Sequence, residues 1–421
     1  MIARTERTSS DGDQGVFAAF RWGAFLGTSW TWVIGMLLPA LLIRDMGGVG
    51  FLAFALPNCI GAAAMGTVLS MKSARNLLVN HRGMVLTFSV VTVAYHFYIA
   101  GFLLPNLLGP LALVVFGLSC VVALVTKIKW EDRGTHLYSI AIWIISMICF
   151  LVSIGAPGAF SIYEGRPLLD PSYKWFFLPA SISGFLLCPY LDATFIRARA
   201  NTKGKTGVWA FIIGFFIIFA PMIIFTTSYG HELLGSFSGE DSRLSGIWWV
   251  LLCIHIPLQM GLTVIWHSRE IYSMVPNRNI ELKYKTVLNC TLLFLGVFFL
   301  GLYFKDLSLS WFNEFKSSNI IETLSQAFEI GRIMSIGEIG YRCLLIFYGT
   351  LFPAYVLIMM LPNLSRVKVS KPWGIFIVTA TISAITAYLG FVMDKGWGIA
   401  STIVVICAGR VAYELKAKKL K

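Results

Sequence analysis

The chain has 421 residues, of which 57% are hydrophobic and 13% charged, and its mean hydropathy is +0.74. Soluble globular proteins carry about 25% charged residues, so the composition excludes a soluble fold. It predicts an all-α polytopic membrane protein whose first partner is the lipid bilayer. The formal net charge of +13 does not indicate nucleic-acid binding, because the positive residues lie in short segments between apolar stretches, where they set membrane orientation.

Twelve apolar stretches are long enough to span a bilayer, which takes about 20 helical residues for a hydrocarbon core roughly 30 Å thick. In chain order they cover residues 22–43, 49–70, 84–104, 107–126, 137–157, 173–194, 207–228, 246–266, 285–304, 340–361, 373–392 and 397–413. At residues 105–109 a tight hairpin and one long kinked helix have the same pattern, so both interpretations stay open there.

Most of the 34 Lys and Arg residues fall in every second connecting segment, from the tail at residues 1–21 to the basic tail at residues 414–421. Since cytoplasmic loops hold the excess of positive residues, we expect an even number of spans and two cytoplasmic termini, in a bacterial inner membrane. The N-terminal tail lacks the features of a signal peptide. The longest outer connection, residues 305–340, has apolar side chains at helical spacing and predicts short surface helices. They include Ile320, Leu324 and Phe328.

Two stretches are interrupted by helix breakers and polar residues. The first, WGAFLGTSWTWVIGMLLPALLI, contains Gly27, Thr28, Ser29, Gly35 and Pro39. The sixth, YKWFFLPASISGFLLCPYLDAT, is interrupted in the same way. Backbone carbonyls freed in mid-membrane need partners, and an ion or a polar solute is a candidate. The two stretches are five spans apart and therefore run in opposite directions across the membrane. This favours a five-plus-five inverted repeat with a site between the two breaks. The alternative is that both interruptions are incidental kinks.

The run GTSWTWVIGMLLPALLIRDMGGVGFLAFALPNCIGAAAMG resembles the opening two helices of proteins related to the sodium:solute symporter family, within the amino acid, polyamine and organocation transporter superfamily. The segment LCPYLDATFIRARAN is similar more loosely. The resemblance implies a ten-helix core at residues 22–361, with repeats at 22–157 and 173–361, and two peripheral spans at 373–413. It also implies a solute between spans 1, 3, 6 and 8, often with sodium held by spans 1 and 8.

The chain departs from the family pattern in two ways. It has no room for an additional helix before the first interrupted stretch, and span 8 offers only Thr263 within the span and Ser268 just beyond it. A hard cation needs several oxygen ligands. Sodium coupling, proton coupling and uncoupled transport therefore all stay open, and no cofactor other than sodium is expected.

The candidate residues are polar or aromatic side chains near the middle of spans 1, 3, 6 and 8. Hydroxyl groups suit a polar solute and tryptophans suit closure over it, although Ser and Thr also bond to their own helix. A histidine carries a coupling proton or bonds a neighbouring helix. The solute-binding candidates are Thr28, Ser29, Trp30, Trp32, His96, Ser183, Gly184, Tyr190, His255 and Gln259, and the ion-binding candidates are Gly27, Ser29 and Thr263.

Asp192 is the one acid predicted inside a span. Such a group is costly in a membrane and marks a pathway by default. It lies near the cytoplasmic end, with Arg197 close behind. Two interpretations of Asp192 stay open: a structural role, as a helix cap or in an inner gate with an arginine, and direct contact with a ligand. Asp192 and Arg197 are the candidate gate or coupling residues.

These features favour a secondary active transporter of a small organic solute, neutral or zwitterionic because no dense charged cluster faces the proposed cavity. The alternative is a transporter-like membrane receptor or scaffold that binds a ligand without moving it. An enzyme is not expected, because the sequence has no HExxH, GxSxG or P-loop motif and no clustered carboxylates.

Overall fold

The computed structural model describes residues 14–169, 173–237, 244–275, 280–315, 336–361 and 372–419, about 90% of them helical. These residues form no β-strand. The helices are Val16–Trp30, Val33–Met46, Gly48–Val68, Met71–Asn80, Arg82–Phe102, Leu104–Leu107, Pro110–Ser153, Tyr173–Leu187, Ala193–Asn201, Gly204–Ile212, Ala220–Ser228, Gly230–Phe237, Gly246–Met274, Ile280–Phe315, Ile336–Ile346, Phe352–Tyr355, Trp373–Phe391 and Gly396–Lys419. Wider π-helical turns lie at Ile213–Phe219, Phe347–Leu351 and Val356–Met360.

In the described part of the chain, 10 helices are long and apolar enough to cross a membrane, or up to 12 if each of two bent helix pairs is one span. The architecture is that of an all-α polytopic membrane protein. We number the spans 1 (Val16–Met46, bent), 2 (Gly48–Val68), 3 (Arg82–Leu107), 4 (Pro110–Lys129), 5 (Glu131–Ser153), 6 (Trp175–Asn201, bent), 7 (Gly204–Ser228), 8 (Gly246–Met274), 9 (Glu281–Phe304), 10 (Gly337–Met360), 11 (Trp373–Phe391) and 12 (Gly396–Lys418).

Each of the twelve predicted stretches overlaps one of these spans. Residues 105–109 form a hairpin, because span 3 ends at Leu107 and Gly109 has a φ of 76° before span 4 begins. Spans 4 and 5 also form a hairpin, bent at Glu131, which has a φ of 47°. The hydroxyls of Ser119 and Tyr138 lie 2.8 Å apart across it, whereas 19 residues of straight helix would separate them by about 28 Å.

Spans 1 and 6 are bent by 58° and 59°. We call their halves 1a (Val16–Trp30), 1b (Val33–Met46), 6a (Tyr173–Leu187) and 6b (Ala193–Asn201). Span 1 breaks between Trp30 and Val33, so Thr31 and Trp32 are the non-helical residues. Span 6 breaks through a short 3₁₀ turn at Cys188–Leu191.

The break in span 1 is not at the glycines and the proline that the sequence analysis took as interruptions. Gly27 lies inside 1a, where an added methyl group would come within 2.6 Å of the Gly214 carbonyl oxygen of span 7. Gly27 therefore lets two helices approach closely. Pro39 lies inside 1b, and its missing N–H leaves the Gly35 carbonyl without a helical donor. The Thr226 hydroxyl of span 7 donates to that carbonyl at 2.8 Å.

The same compensation occurs at Pro57 in span 2. Pro57 cannot donate to the Ala53 carbonyl, and the Ser181 hydroxyl of 6a donates to it instead. Backbone groups in lipid must be satisfied within the protein. These two freed carbonyls are satisfied by neighbouring spans, so neither needs an ion or a solute.

Span 8 lies at the centre of the bundle, with 72% of its apolar window buried, whereas span 9 is at the rim with 6%. Spans 11 and 12 pack against each other and are 33% buried, so they also lie toward the outside. The predicted outer loop begins later than expected, because the helix containing span 9 continues to Phe315. Ile320, Leu324 and Phe328 lie outside the described residues.

Candidate functional site

The break in span 1 places Trp32 among aromatic side chains of spans 3 and 10. Its ring stacks on the His96 ring at a centroid distance of 6.0 Å. It meets the Tyr348 ring edge-on at 4.8 Å and the Phe88 ring at 6.2 Å. Trp32 and His96 are both 0% exposed. The Trp30 ring lies 5.2 Å from the Trp32 ring, so three of the predicted candidates, Trp30, Trp32 and His96, are brought together at the break.

The break in span 6 is organised by Asp192, which is 0% exposed and precedes 6b. Its Oδ1 accepts the backbone N–H of Thr194 at 2.7 Å and that of Phe195 at 3.4 Å. It also accepts the Thr194 hydroxyl at 2.6 Å. A carboxylate here complements the positive end of the helix dipole. Asp192 therefore caps 6b, one of the roles that the sequence analysis left open.

His267 of span 8 completes the group, and the sequence analysis did not select it. Its Nε2 lies 3.9 Å from Asp192 Oδ2, and its Nδ1 lies 3.2 Å from the Ser89 hydroxyl of span 3. The predicted span 8 stopped at residue 266, whereas the helix continues to Met274. The spacing of the sequence could have identified His267, because residues four apart lie on one face of a helix. That buried face of span 8 carries His255, Gln259, Thr263 and His267.

Four buried polar atoms around the two breaks have no hydrogen-bond partner among the described residues. They are Trp32 Nε1, His96 Nε2, Asp192 Oδ2 and His267 Nε2. An unpaired buried polar group costs about 1–3 kcal/mol. Half-helix 1b adds donors, since it has no side-chain cap and the first N–H groups of a helix have no helical acceptor. We call Trp32, His96, Asp192 and His267 the central polar group; together they suit a small polar ligand.

Ser29 and Trp30 hold the first break to neighbouring spans. The Ser29 hydroxyl donates to the Leu26 carbonyl and lies 3.2 Å from the Thr194 hydroxyl of 6b. The Trp30 indole donates to Asn58 Oδ1 of span 2 at 2.5 Å. These two candidates make contacts between helices, beside the central polar group.

The remaining candidates of spans 1 and 6 make local contacts. The Thr28 hydroxyl donates to the Ala24 carbonyl at 2.6 Å, and the Ser183 hydroxyl to the Ala180 carbonyl at 3.0 Å. Gly184 packs against span 10, where an added methyl group would come within 3.0 Å of the Tyr348 carbonyl oxygen. Tyr190 is half-buried within the second break.

His255 and Gln259 belong to a second polar cluster, between spans 5 and 8. His255 Nδ1 lies 3.0 Å from the Ser146 hydroxyl, and the Gln259 amide donates to it at 3.2 Å. The His255 ring also packs on Phe225 of span 7 and on Tyr229 just after it. Their hydrogen bonds go to span 5 and not to residues at the breaks.

Sodium binding stays a prediction, because a hard cation needs several oxygen ligands and two of the oxygens selected for it already make hydrogen bonds within their own helices. The Gly27 carbonyl already accepts both the N–H and the hydroxyl of Thr31, at 3.1 Å and 2.8 Å. The Thr263 hydroxyl donates to the Gln259 carbonyl of its own helix at 3.1 Å. We therefore assign no step to sodium.

Ion pairs close the bundle at both ends of the bent spans. Where 1b ends, Arg44 Nη2 lies 2.6 Å from Glu338 Oε1, and Arg342 Nε lies 2.8 Å from the same oxygen. Arg342 also pairs with Asp45. Span 10 is thereby tied to 1b. We call these four residues the 1b network.

At the opposite end, Arg197 of 6b lies 2.7 Å from Glu270 Oε1 of span 8. Arg269 contacts the same carboxylate at 2.7 Å and Asp132 at 3.8 Å. We call Arg197, Arg269, Glu270 and Asp132 the 6b network.

The prediction that Asp192 is the one acid within a span is wrong, because Asp45, Glu270 and Glu338 also lie in span helices. Arg197 pairs with Glu270 and not with Asp192.

Comparison with protein-family models and with curated proteins finds no match for this chain. In the described part of the chain, no group of three or more His, Cys, Asp or Glu side chains is arranged to hold a metal ion. The chemistry available at the two breaks is hydrogen bonding by imidazole, indole, carboxylate and free helix N–H groups.

Proposed function

We propose that this protein is a secondary transporter of a small, neutral or zwitterionic organic solute, which binds between the breaks of spans 1 and 6 and crosses by alternating access. The observation that carries the proposal is the central polar group. Its four unpartnered polar atoms are buried where two oppositely directed bent helices meet. A solute that pairs with these atoms recovers the cost of burying them.

The packing of the spans supports a five-plus-five repeat, because each of the following contacts between two spans has a counterpart five spans further along the ten-span core. In this count, span 1 follows span 10. Half-helix 1a packs on span 7, and 6a packs on span 2. Span 3 packs on span 9, and span 8 packs on span 4. Span 1 contacts span 5, and span 6 contacts span 10.

The two short helices between spans follow the same rule. Met71–Asn80, after span 2, packs on 6b, and Gly230–Phe237, after span 7, packs on 1b. A duplicated, inverted architecture supplies two equivalent gates around one central site. This agreement supports the resemblance to the sodium:solute symporter-like fold, with the 1b network facing outward and the 6b network facing the cytoplasm.

The state described here is closed at both ends. The central polar group is 0% exposed, and each end carries ion pairs centred on a buried carboxylate, Glu338 in the 1b network and Glu270 in the 6b network. A solute reaches the centre only when one network separates. Alternating access then consists of opening the 1b network or the 6b network, but not both.

The test is thermal stability of the purified protein in sodium chloride and in choline chloride, with pools of amino acids, sugars, nucleobases and vitamins. A solute at 100 times its Kd adds about 2.7 kcal/mol to the stability of the folded state. We expect one pool to raise the melting temperature. Trp32→Phe, which keeps an aromatic ring but is smaller and has no indole N–H, should reduce that rise.

Trp209→Phe is the matched control, because Trp209 is 55% exposed on span 7 and should leave the rise unchanged. A rise that Trp32→Phe leaves unaltered would place the solute elsewhere and contradict the proposed site. Uptake of the same solute into proteoliposomes separates transport from its alternative, since a receptor would bind the solute without accumulating it.

A further inference from the structure

Asp192 and His267 face each other through two atoms that have no other hydrogen-bond partner in the described structure. Asp192 Oδ2 and His267 Nε2 lie 3.9 Å apart, and both side chains are 0% exposed. Neither atom has a hydrogen-bond partner among the described residues. The other side of each group is held, Asp192 Oδ1 by Thr194 and Phe195, and His267 Nδ1 by Ser89.

One added proton allows Asp192 Oδ2 and His267 Nε2 to form a hydrogen bond with each other. In the tautomer whose Nδ1–H donates to the Ser89 hydroxyl, His267 Nε2 carries a lone pair, so it and an ionised Asp192 Oδ2 are both acceptors. With one proton on either atom, the pair gains a donor, and a small approach closes an O–H···N or N–H···O bond. The proton comes from water on one side of the membrane and is released to water on the other, so charge and atoms balance without any further reactant.

Apart from His96 Nε2, which has no partner among the described residues, the charged and titratable groups around the pair are held by other residues. Glu270 of span 8 is held by Arg197 and Arg269. On span 3, His96 Nδ1 lies 2.7 Å from the Thr92 carbonyl, and the Tyr348 hydroxyl of span 10 lies 2.7 Å from the Thr92 hydroxyl. At the Asp192–His267 pair, two titratable atoms therefore face each other without another hydrogen-bond partner among the described residues.

We infer that Asp192 and His267 form a shared proton-binding site, and that the solute is coupled to a proton. The coupling runs through 6b. Asp192 caps this half-helix, and its other end is tied to span 8 by Arg197 and Glu270. Protonating Asp192 weakens a charge-assisted cap, so proton binding changes the attachment of 6b to span 8. The coupling rests on the proposed transport function, whereas proton binding does not.

The direct test is infrared difference spectroscopy of the protein in lipid nanodiscs, titrated between about pH 5 and pH 8, above the range where exposed carboxylates titrate. We expect the carbonyl band of a protonated carboxyl group in apolar surroundings, with a midpoint inside this window. The band should be lost in Asp192→Asn, which keeps an oxygen to cap 6b. Its midpoint should move in His267→Gln.

Thr194→Ala provides a second, milder variant, since it removes only the hydroxyl bound to Asp192 Oδ1, and it should also move the midpoint. His255→Gln is the control on the same face of span 8 and should leave the band unchanged. A band that survives Asp192→Asn, or a midpoint unmoved in both His267→Gln and Thr194→Ala, would overturn the proton site.

Proteoliposomes with an imposed pH gradient and no sodium gradient test the coupling. The solute identified by thermal stability should accumulate in wild type and only equilibrate in Asp192→Asn. Equal accumulation in both would overturn the coupling. A titrating Asp192 in a protein that takes up no solute would instead overturn the transport function and leave the proton site standing.

Discussion

Hydroxyl groups of neighbouring spans replace the helical donors that Pro39 and Pro57 lack. Thr226 and Ser181 each donate to a carbonyl on another span that a proline has left without its helical donor. Water is absent at this depth, so no other donor replaces them. The prolines are therefore tolerated because of residues far away in the sequence.

We expect Thr226→Val to lower the free energy of unfolding by about 1–3 kcal/mol, because it leaves the Gly35 carbonyl buried and unpaired. Thr291→Val is the control. The Thr291 hydroxyl donates to the Val287 carbonyl of its own helix, and its loss should cost less than about 0.5 kcal/mol. Unfolding in mixed detergent micelles measures both, and equal effects would contradict the assigned role.

His81, just before span 3, links the start of that span to span 10. Its Nδ1 lies 3.1 Å from the Tyr355 hydroxyl, and its side chain is 6% exposed. Burial lowers the pKa of His81 below its usual value. The unfolded chain therefore takes up a proton at a higher pH than the folded protein does, so stability falls as the pH drops below about 6.5.

His81→Gln should make the dependence of melting temperature on pH shallower between about pH 7 and pH 5. Gln retains a donor and an acceptor for Tyr355, so packing is largely kept. His231→Gln, at an exposed position, is the control and should leave the slope unchanged. An unaltered slope in His81→Gln would show that another group sets the acid sensitivity.

At the scale of elements, spans 3 and 9 are joined by backbone contact. A methyl group added at Gly101 would overlap the Phe298 carbonyl oxygen, and one added at Gly301 would overlap the Tyr98 carbonyl oxygen. Helices in lipid associate through such close packing because lipid tails are as apolar as their side chains. Span 9 is at the rim, so this contact is its principal attachment to the bundle.

Gly301→Ala should therefore destabilise the protein by about 1–3 kcal/mol through overpacking against a backbone that cannot move aside. Gly296→Ala lies on the same helix with no atom within 4 Å of the added methyl group. It should be neutral or stabilising by up to about 1 kcal/mol, because Ala favours a helix over Gly. The same unfolding assay compares them, and a neutral Gly301→Ala would contradict the close contact.

The number and order of spans, and the two interrupted ones, were predictable from the sequence because apolar length is a strong signal. The position of the first break was not. Gly27 and Pro39 are helix breakers in water, but here close packing and a threonine on another span keep them helical. Glu270 was missed because the helix continues past the apolar stretch, where Arg197 and Arg269 neutralise it.

At the scale of the whole molecule, the proposed site lies between the 1b network and the 6b network. Cys188 reports on its closure, since it lies at the second break, is 1% exposed, and contacts the Tyr348 carbonyl at 2.9 Å. With Cys188 as the sole cysteine, a polar thiol reagent added to proteoliposomes should label the protein slowly. Opening either network should expose it.

Glu270→Gln should raise labelling from the 6b end about tenfold or more. Removing one partner of a buried ion pair is worth roughly 3–5 kcal/mol, and each 1.4 kcal/mol is about a factor of ten. Glu338→Gln should do the same from the 1b end. Glu281→Gln, in an exposed pair with Lys285, is the control. Labelling that rises from both sides in either variant would contradict two separate gates.

The π-helical turns of spans 7 and 10 lie directly against the bent spans, Ile213–Phe219 against 1a and Phe347–Leu351 against 6a. A π turn holds an additional residue compared with an α turn. Returning one such turn to α-helical hydrogen bonding shifts everything beyond it by one residue, about 1.5 Å along the axis and about 100° around it. Any such conversion would therefore shift the surfaces on which 1a and 6a rest by whole residues, so that the positions of these half-helices would be discrete rather than graded.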